Sequence, residues 1–132
     1  MGYLGKVVTG LLRKGNKFLI GFRPSDKPDP NMVEVSGGKV DLTDATLESA
    51  LIREYKEETD LDIIVGALIW DAVLEFSDGQ WHIHMFEVFA SEDQEPVCKV
   101  HQWLKWLTWE EMQQYPMAPS LVKVMEGLND KN

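Results

Sequence analysis

Cysteine and positive charge are both scarce in this sequence, and each shortage excludes a class of proteins. Cys98 is the single cysteine among 132 residues, so no disulfide can form within the chain and a reducing cytoplasm is the expected location. Thirteen Lys and Arg stand against 22 Asp and Glu, which gives a net charge of −9. Nucleic acid polymers and anionic membranes attract basic surfaces. We therefore expect neither of them as a partner.

Long apolar runs, repeats and linkers are also absent. No run reaches the roughly 20 apolar residues that a membrane-spanning helix needs, and the first residues do not have the pattern of a signal peptide. The length suits one domain with a single core, which we place at residues 1–132. A monomer and a homodimer are both compatible with the sequence.

Strand and helix patterns alternate along the chain, which predicts an α/β sandwich with mixed sheets covered by helices. The predicted strands are residues 6–12, 17–22, 62–65, 68–76, 81–90 and 103–107. Helices are predicted at 46–59 with Thr46 as the cap, over about two turns after Thr108, and at 121–128 with Ser120 as the cap.

Carboxylates continue the buried stripe of the first predicted helix. At about 100° per residue, three glutamates lie on the face of Leu47 and Leu51, namely Glu54, Glu57 and Glu58. Neighbours on that face are about 5–6 Å apart, and each close pair repels by about 3 kcal/mol at an effective dielectric constant of about 20. A divalent cation would offset this repulsion, and oxygen ligands without His or Cys suit Mg²⁺ or Mn²⁺. The alternative is an acidic helix face that is only solvated.

A double glycine precedes this helix. Gly37 and Gly38 follow the apolar run 32–35, and they lack side chains that would keep a ligand away from the backbone. After them come Lys39, a turn, and the helix with its order Arg-Glu-x-x-Glu-Glu. Such a loop and helix can hold a metal ion beside phosphate.

These residues resemble the Nudix box, a family motif written G-x5-E-x7-R-E-U-x-E-E-x-G-U with U apolar. Its positions are matched by Gly38, Arg53, Glu54, Tyr55, Glu57, Glu58 and Leu61. The chain departs from the motif twice. Its loop is one residue longer, which leaves Asp44 or Ala45 in place of the first Glu, and Asp60 replaces the Gly after the helix. Asp can adopt the left-handed conformation that Gly supplies there.

The resemblance extends to the MutT-like branch of the family. Segments 21–24 and 32–39 are similar to its strand-end Arg segment and its W-E-F-P-G-G-K segment, and residues 106–112 and 115–119 are similar to the tail of its CTP-cleaving and oxidised-nucleotide members. This implies a Nudix-type α/β/α sandwich and Mg²⁺-dependent hydrolysis of a nucleoside triphosphate to a monophosphate and pyrophosphate. The suggested substrates are an oxidised or modified dNTP, CTP or dCTP, with a role in clearing the nucleotide pool.

The same resemblance implies the site residues. The metal ligands would be the Gly38 carbonyl, Glu54, Glu57 and Glu58, and Arg53 would orient a carboxylate, so that Arg53 and the three glutamates are the catalytic candidates. The substrate-binding candidates are Arg23, Glu34, Lys39, Phe76, Met117 and Ser120. For Phe76, Trp81, Trp103 and Met117, stacking on a base is one interpretation and ordinary packing is the other.

The general base is unassigned. Many relatives place a catalytic Glu where this chain has Val100. The alternatives are Glu92, Glu95, His101 and a box glutamate.

His82 and His84 share one face of a predicted strand and can ligate a metal. The sequence offers no third ligand in register with them. Ordinary polar pairing is therefore the favoured interpretation.

Three functions are compatible with these features. The first is the triphosphate pyrophosphohydrolase. The second keeps the chemistry but acts on another nucleoside diphosphate derivative, such as ADP-ribose, a dinucleoside polyphosphate or capped RNA. The third is a Nudix-fold protein that binds nucleotides without turnover, which Val100 favours and the three glutamates oppose.

Overall fold

The computed structural model describes residues 3–130, and the side chains of residues 3–128. Within that range, no helix is long and apolar enough to cross a bilayer. The strands are β1 (Tyr3–Lys14), β2 (Lys17–Phe22), β3 (Val33–Glu34), β4 (Gly37–Lys39), β5 (Ile64–Phe76), β6 (Gly79–Phe89) and β7 (Leu104–Leu107). The helices are α1 (Leu47–Thr59), α2 (Trp109–Met112) and α3 (Pro119–Asp130).

Strand β1 is the centre of the sheet, whose order is β3-β2-β1-β6-β5. It runs parallel to β6, with Val8 opposite His84, and antiparallel to β4, with Val8 opposite Gly38. Strand β2 turns back from the end of β1 and pairs with β3 and β7. The sheet therefore combines parallel and antiparallel pairs, as the sequence predicted.

Neighbouring residues of β1 face different helices. Val8 and Leu12 belong to one buried cluster and Leu11 to another. The first cluster includes Ala50, Leu51 and Tyr55 of α1, and the second includes Leu121, Val124 and Met125 of α3. Because strand side chains alternate between faces, α1 and α3 cover opposite sides of the sheet. The predicted α/β/α sandwich is confirmed.

Helix α1 is fixed at both ends and at its middle. The Thr46 hydroxyl accepts a hydrogen bond from the Ser49 amide, and the Ser49 hydroxyl accepts one from the Thr46 amide, each over 3.0 Å. The buried hydroxyl of Tyr55 donates to the Gly10 carbonyl over 2.7 Å. Asp60 ends the helix in the left-handed conformation, with φ 63° and ψ 10°, as expected for its place in the motif.

Strand β5 differs from the prediction of two separate strands at 62–65 and 68–76. It is one strand, and its pairing with β6 is irregular between Val65 and Leu68 and between Leu68 and Trp70. Such irregularities change which way side chains point without ending the strand. The alternation that identifies a strand in sequence is therefore interrupted where the strand itself continues.

The C-terminal elements also differ from the prediction. Helix α2 has one turn rather than two, because the chain after it pairs with β3: the Val33 amide donates to the Pro116 carbonyl, and the Ala118 amide donates to the Val33 carbonyl. Helix α3 begins at Pro119, so Ser120 lies in its first turn and is not its cap. Proline suits the first helical position because its missing N–H has no partner there in any case.

Replacing Asp60 by Gly should raise the free energy of unfolding by up to about 1 kcal/mol, because Gly adopts a positive φ without the steric cost of a Cβ. The ion pairs of Asp60 with Lys56 and Lys99, at 3.7 and 3.8 Å, lie at the surface and contribute little. Asp60→Val is the matched control and should lower stability by about 1 kcal/mol or more. Urea denaturation followed by circular dichroism measures both, and equal midpoints would contradict the expectation.

Candidate active site

The backbone of β4 lies directly against the carboxylates of α1. The Gly37 amide donates to Oε1 of Glu58 over 3.3 Å. A Cβ at Gly38 would lie 2.5 Å from Oε2 of Glu54, so a side chain there would displace that carboxylate. At Gly37, where φ is 157°, a Cβ would collide with the Val8 carbonyl oxygen. Gly38 therefore lets β4 approach α1 closely, and Gly37 lets it approach β1.

The guanidinium of Arg53 joins the loop, β4 and α1. It makes two parallel contacts with Asp44, from Nε to Oδ1 over 3.0 Å and from Nη2 to Oδ2 over 2.8 Å. Nη1 lies 2.9 Å from Oε1 of Glu54 and 3.2 Å from Oε2 of Glu57, and Nη2 donates to the Lys39 carbonyl over 3.3 Å. Bidentate contacts of this kind fix geometry as well as adding energy.

Two residues of the lengthened loop could take the place of the first Glu of the motif, Asp44 and Ala45. Asp44 does so, because its carboxylate contacts Arg53. The Asp41 amide donates to Oδ2 of Asp44 over 2.8 Å, which holds the side chain in place. The hydrogen bonds from Arg53 and then from Asp41 lower the pKa of Asp44 below its ordinary value. Asp44 therefore stays ionised, and its charge draws Arg53 towards the loop while the same guanidinium contacts the glutamates.

The three box glutamates differ in exposure. The side chain of Glu54 is 14% exposed and that of Glu57 is 55% exposed. Burial raises the pKa of Glu54, and Arg53 opposes the rise. Burial also raises the pKa of Glu58 to about 7, against the lowering effects of His101 and the Gly37 amide. Two partly buried carboxylates with raised pKa values therefore lie next to a close backbone. Oxygen ligands of this kind suit a divalent cation such as Mg²⁺.

A second polar group adjoins these carboxylates. His101 is 7% exposed, and its Nε2 lies 3.0 Å from Oε2 of Glu34, whose Oε1 accepts a hydrogen bond from Arg23 over 3.1 Å. A Cβ at Gly21 would lie 2.5 Å from the imidazole, so the ring occupies space that only glycine leaves. Because His101 acts electrostatically on Glu58 and lowers its pKa, this group and the carboxylates of α1 form one electrostatic unit.

The structure separates the candidates for the general base. His101 lies in the unit that contains Glu58, whereas Glu92 lines a groove with Lys14 and Trp106 beside the hairpin of β1 and β2. Val100 and Glu95 are exposed. His101 therefore lies beside the carboxylates of α1, whereas Glu92 lies at that groove.

The structure brings three of the six substrate-binding candidates together and places the other three on different elements. Arg23, Glu34 and Met117 gather at β3, since Met117 forms a parallel bridge with Val33. Lys39 ends β4, and its Nζ lies 4.8 Å from the centre of the Trp81 ring. The other two lie on different elements: Phe76 stands at the tip of the β5–β6 hairpin, opposite Gly79, and Ser120 lies in the first turn of α3.

Trp103 is packed between other side chains. Its ring stacks on Phe22, with centres 5.1 Å apart and planes 4° from parallel. Tyr115 contacts both rings at a tilt, and Lys105 Nζ lies 4.6 Å from the centre of the Trp103 ring. For this residue, packing is the interpretation that the contacts favour over stacking on a base.

His82 and His84 do have a third potential ligand in register, contrary to the sequence analysis. Asp71 on β5 stands directly opposite His84 on β6. One ligand atom from each of the three residues lies within 4.8 Å of the others. Sequence reasoning missed Asp71 because its position follows from the register of two irregularly paired strands.

The family model of the NUDIX domain matches residues 4–128. The chain therefore belongs to the Nudix family, and it is a Nudix hydrolase.

Individual relatives agree with this assignment. The CTP pyrophosphohydrolase of Escherichia coli (strain K12) is 32% identical over 124 residues, which cover 92% of this chain and 89% of that protein. The solution structure of the E. coli ORF135 protein matches with a TM-score of 0.78 at 30% identity, covering 98% of this chain and 91% of that one. A MutT protein from Methanosarcina mazei Go1 matches with a TM-score of 0.82, covering 98% and 95%, and at 20% identity it shows the fold alone.

The raised pKa of Glu58 predicts a pH-dependent stability in the metal-free protein. Its pKa is about 7 in the folded chain and about 4.5 in the unfolded chain, so its stabilising contribution is present below pH 4.5 and is lost as the pH rises to 7. In EDTA, the stability of the wild type relative to Glu58→Gln should fall by about 3 kcal/mol between these limits. Urea unfolding curves across that range measure it. Parallel pH profiles for the two proteins would contradict the assignment.

Proposed function

We propose that the protein is a Mg²⁺-dependent hydrolase that converts a nucleoside triphosphate to a nucleoside monophosphate and pyrophosphate. The observation that carries the proposal is the set of three glutamates on α1. Arg53 contacts Glu54 and Glu57, while Glu54 and Glu58 lie against Gly38 and Gly37 of β4. The similarity to a CTP pyrophosphohydrolase favours CTP, dCTP or a modified dNTP as the substrate. The protein would then remove surplus or damaged nucleotides.

Glu54, Glu57 and Glu58, with the Gly38 carbonyl, would hold the cation, and Mn²⁺ would be able to replace Mg²⁺. When bound, the ion supplies charge that stabilises the phosphoryl oxygens and lowers the pKa of water. Arg53 keeps Glu54 and Glu57 in place through contacts of 2.9 and 3.2 Å. Its role is positioning and charge, because its guanidinium stays protonated throughout.

The nucleotide would lie along β3 and β4. Lys39, at the end of β4, and Arg23 supply positive charge for the phosphates. Glu34 keeps acceptor capacity beyond its contacts with Arg23 and His101, since a carboxylate has about four lone-pair sites. An exocyclic amino group of a base would suit that capacity. Met117, Phe76 and Ser120 complete the proposed contacts with the base and sugar.

The remaining expectations concern the whole protein. We propose one domain over residues 1–132, a cytoplasmic location, and a monomer or homodimer. The excess of 22 acidic over 13 basic residues favours a small substrate held by local cations over a nucleic acid polymer or a membrane.

Glu57→Gln should lower kcat by at least about 100-fold, because it removes a charge from the metal site while keeping the shape of the side chain. The assay is pyrophosphate release from CTP, dCTP and oxidised or methylated nucleotides in the presence of Mg²⁺. Glu48→Gln is the matched control: Glu48 lies exposed in the first turn of the same helix, and its variant should keep wild-type kcat.

Other outcomes of this assay identify the alternatives. Cleavage confined to ADP-ribose, dinucleoside polyphosphates or capped RNA would show the second function and reject the first. Tight nucleotide binding without any turnover would show a binding protein, which is the outcome that Val100 in place of a glutamate favours.

Arg53→Lys and Asp44→Asn should affect kcat non-additively, because both changes remove the same bidentate contact of 2.8 and 3.0 Å. Each single variant should lose at least about tenfold, and the double variant should lose little more than the worse single one. A double-mutant cycle of kcat measures the coupling. Losses that simply multiply would show that Asp44 does not act through Arg53.

A further inference from the structure

We propose that Asp71, His82 and His84 form a second metal site, separate from the glutamates of α1, which binds a divalent transition metal ion such as Zn²⁺. Its ligands come from the neighbouring strands β5 and β6. Its chemistry differs from that of the acidic site because two of its three ligands are imidazoles.

The sheet itself places the three residues together. His82 and His84 are two residues apart on β6, so their side chains leave the same face, and their ring centres are 4.0 Å apart. On the antiparallel strand β5, Asp71 is the register partner of His84. Its Oδ2 lies 2.7 Å from Nε2 of His82. The backbone pairing therefore holds the set together before any ion binds.

His84 has a polar atom that lacks a partner. The residue is 6% exposed, and its buried Nδ1 makes no hydrogen bond to the described residues. A buried donor or acceptor that is left unsatisfied is costly, and a metal ion is a partner that an imidazole nitrogen can bind. His82 and Asp71 are more exposed, at 29% and 46% of their side chains, so an ion can enter from solvent on their side.

The donor set selects the type of ion. Two imidazoles and one carboxylate suit Zn²⁺ and its neighbours in the transition series, whereas Mg²⁺ prefers oxygen ligands alone. Tetrahedral Zn²⁺ with ligands at about 2.0–2.1 Å brings ligand atoms to about 3.3 Å from one another. The three atoms already lie within 4.8 Å, so small movements of exposed side chains suffice. Three protein ligands leave a fourth position for water.

The positive charge of Lys6 disfavours binding of a metal ion at this site. Lys6 on β1 is the register partner of His82 on β6, so its ammonium group leaves the sheet on the same face and repels a bound ion. Removing that charge should therefore tighten binding. A purely structural pairing of Asp71 with His82 would not respond to metal in this way.

Titration with Co²⁺, whose absorption reports tetrahedral coordination, tests the proposal. Protein stripped with EDTA and dialysed is titrated in an excess of Mg²⁺, which keeps the acidic site occupied. Wild type should bind a single equivalent, and Zn²⁺ should displace it. His82→Gln and Asp71→Asn should each weaken binding by at least about 100-fold, and Lys6→Gln should strengthen it by about threefold.

The controls keep this site apart from the proposed activity. The Glu57→Gln variant should lose hydrolysis and retain Co²⁺ binding. The His82→Gln variant should retain hydrolysis and lose Co²⁺ binding. Both altered ligands are partly exposed, so their variants avoid the folding defect that replacing buried His84 can cause, and circular dichroism checks this. Absence of a tetrahedral Co²⁺ spectrum in the wild type, or wild-type affinity in either ligand variant, would overturn the proposal.

Discussion

The contact between Arg53 and the surrounding carboxylates is the interaction on which the site depends. One guanidinium faces Asp44, Glu54 and Glu57 at distances between 2.8 and 3.2 Å. A single positive charge cannot neutralise three negative ones, so the group keeps a negative excess even when every hydrogen bond is made. The fold therefore holds an arrangement that a bound cation would complete, and the capping box, the Tyr55 hydroxyl and Asp60 all serve to keep α1 where that arrangement exists.

Strand β1 places two different environments on either side of one residue. Val8 is the register partner of Gly38 on β4 and of His84 on β6. On the β4 side, the missing side chain of Gly38 lets the backbone and the Glu54 carboxylate meet, and the metal ligands proposed there are all oxygen atoms. On the β6 side, alternation along the strand brings two imidazoles together beside a carboxylate. The register of a single sheet would thus keep the two proposed metal sites apart.

Local patterns predicted the elements that local physics determines. The stripe of α1, the Thr46 cap and the mixed sandwich all follow from periodicity and short motifs, and the structure has them. Features that depend on distant pairing were not predictable. Asp44, rather than Ala45, takes the place of the first Glu of the motif because of where Arg53 lies. Asp71 is a third potential ligand because of the irregular pairing of β5 with β6. Helix α2 ends early because the chain near Pro116 forms hydrogen bonds with Val33.

At two positions where this chain departs from the Nudix motif, a different residue meets the physical requirement of that position. Asp44 supplies a carboxylate to Arg53 from a loop one residue longer, and Asp60 supplies the positive φ that glycine usually provides. Val100 is different, because an apolar and exposed side chain supplies neither charge nor proton. What adjoins Glu58 instead is His101, buried over Gly21 and paired with Glu34. This chain therefore places His101 and Glu34 near Glu58, while its three box glutamates match the motif.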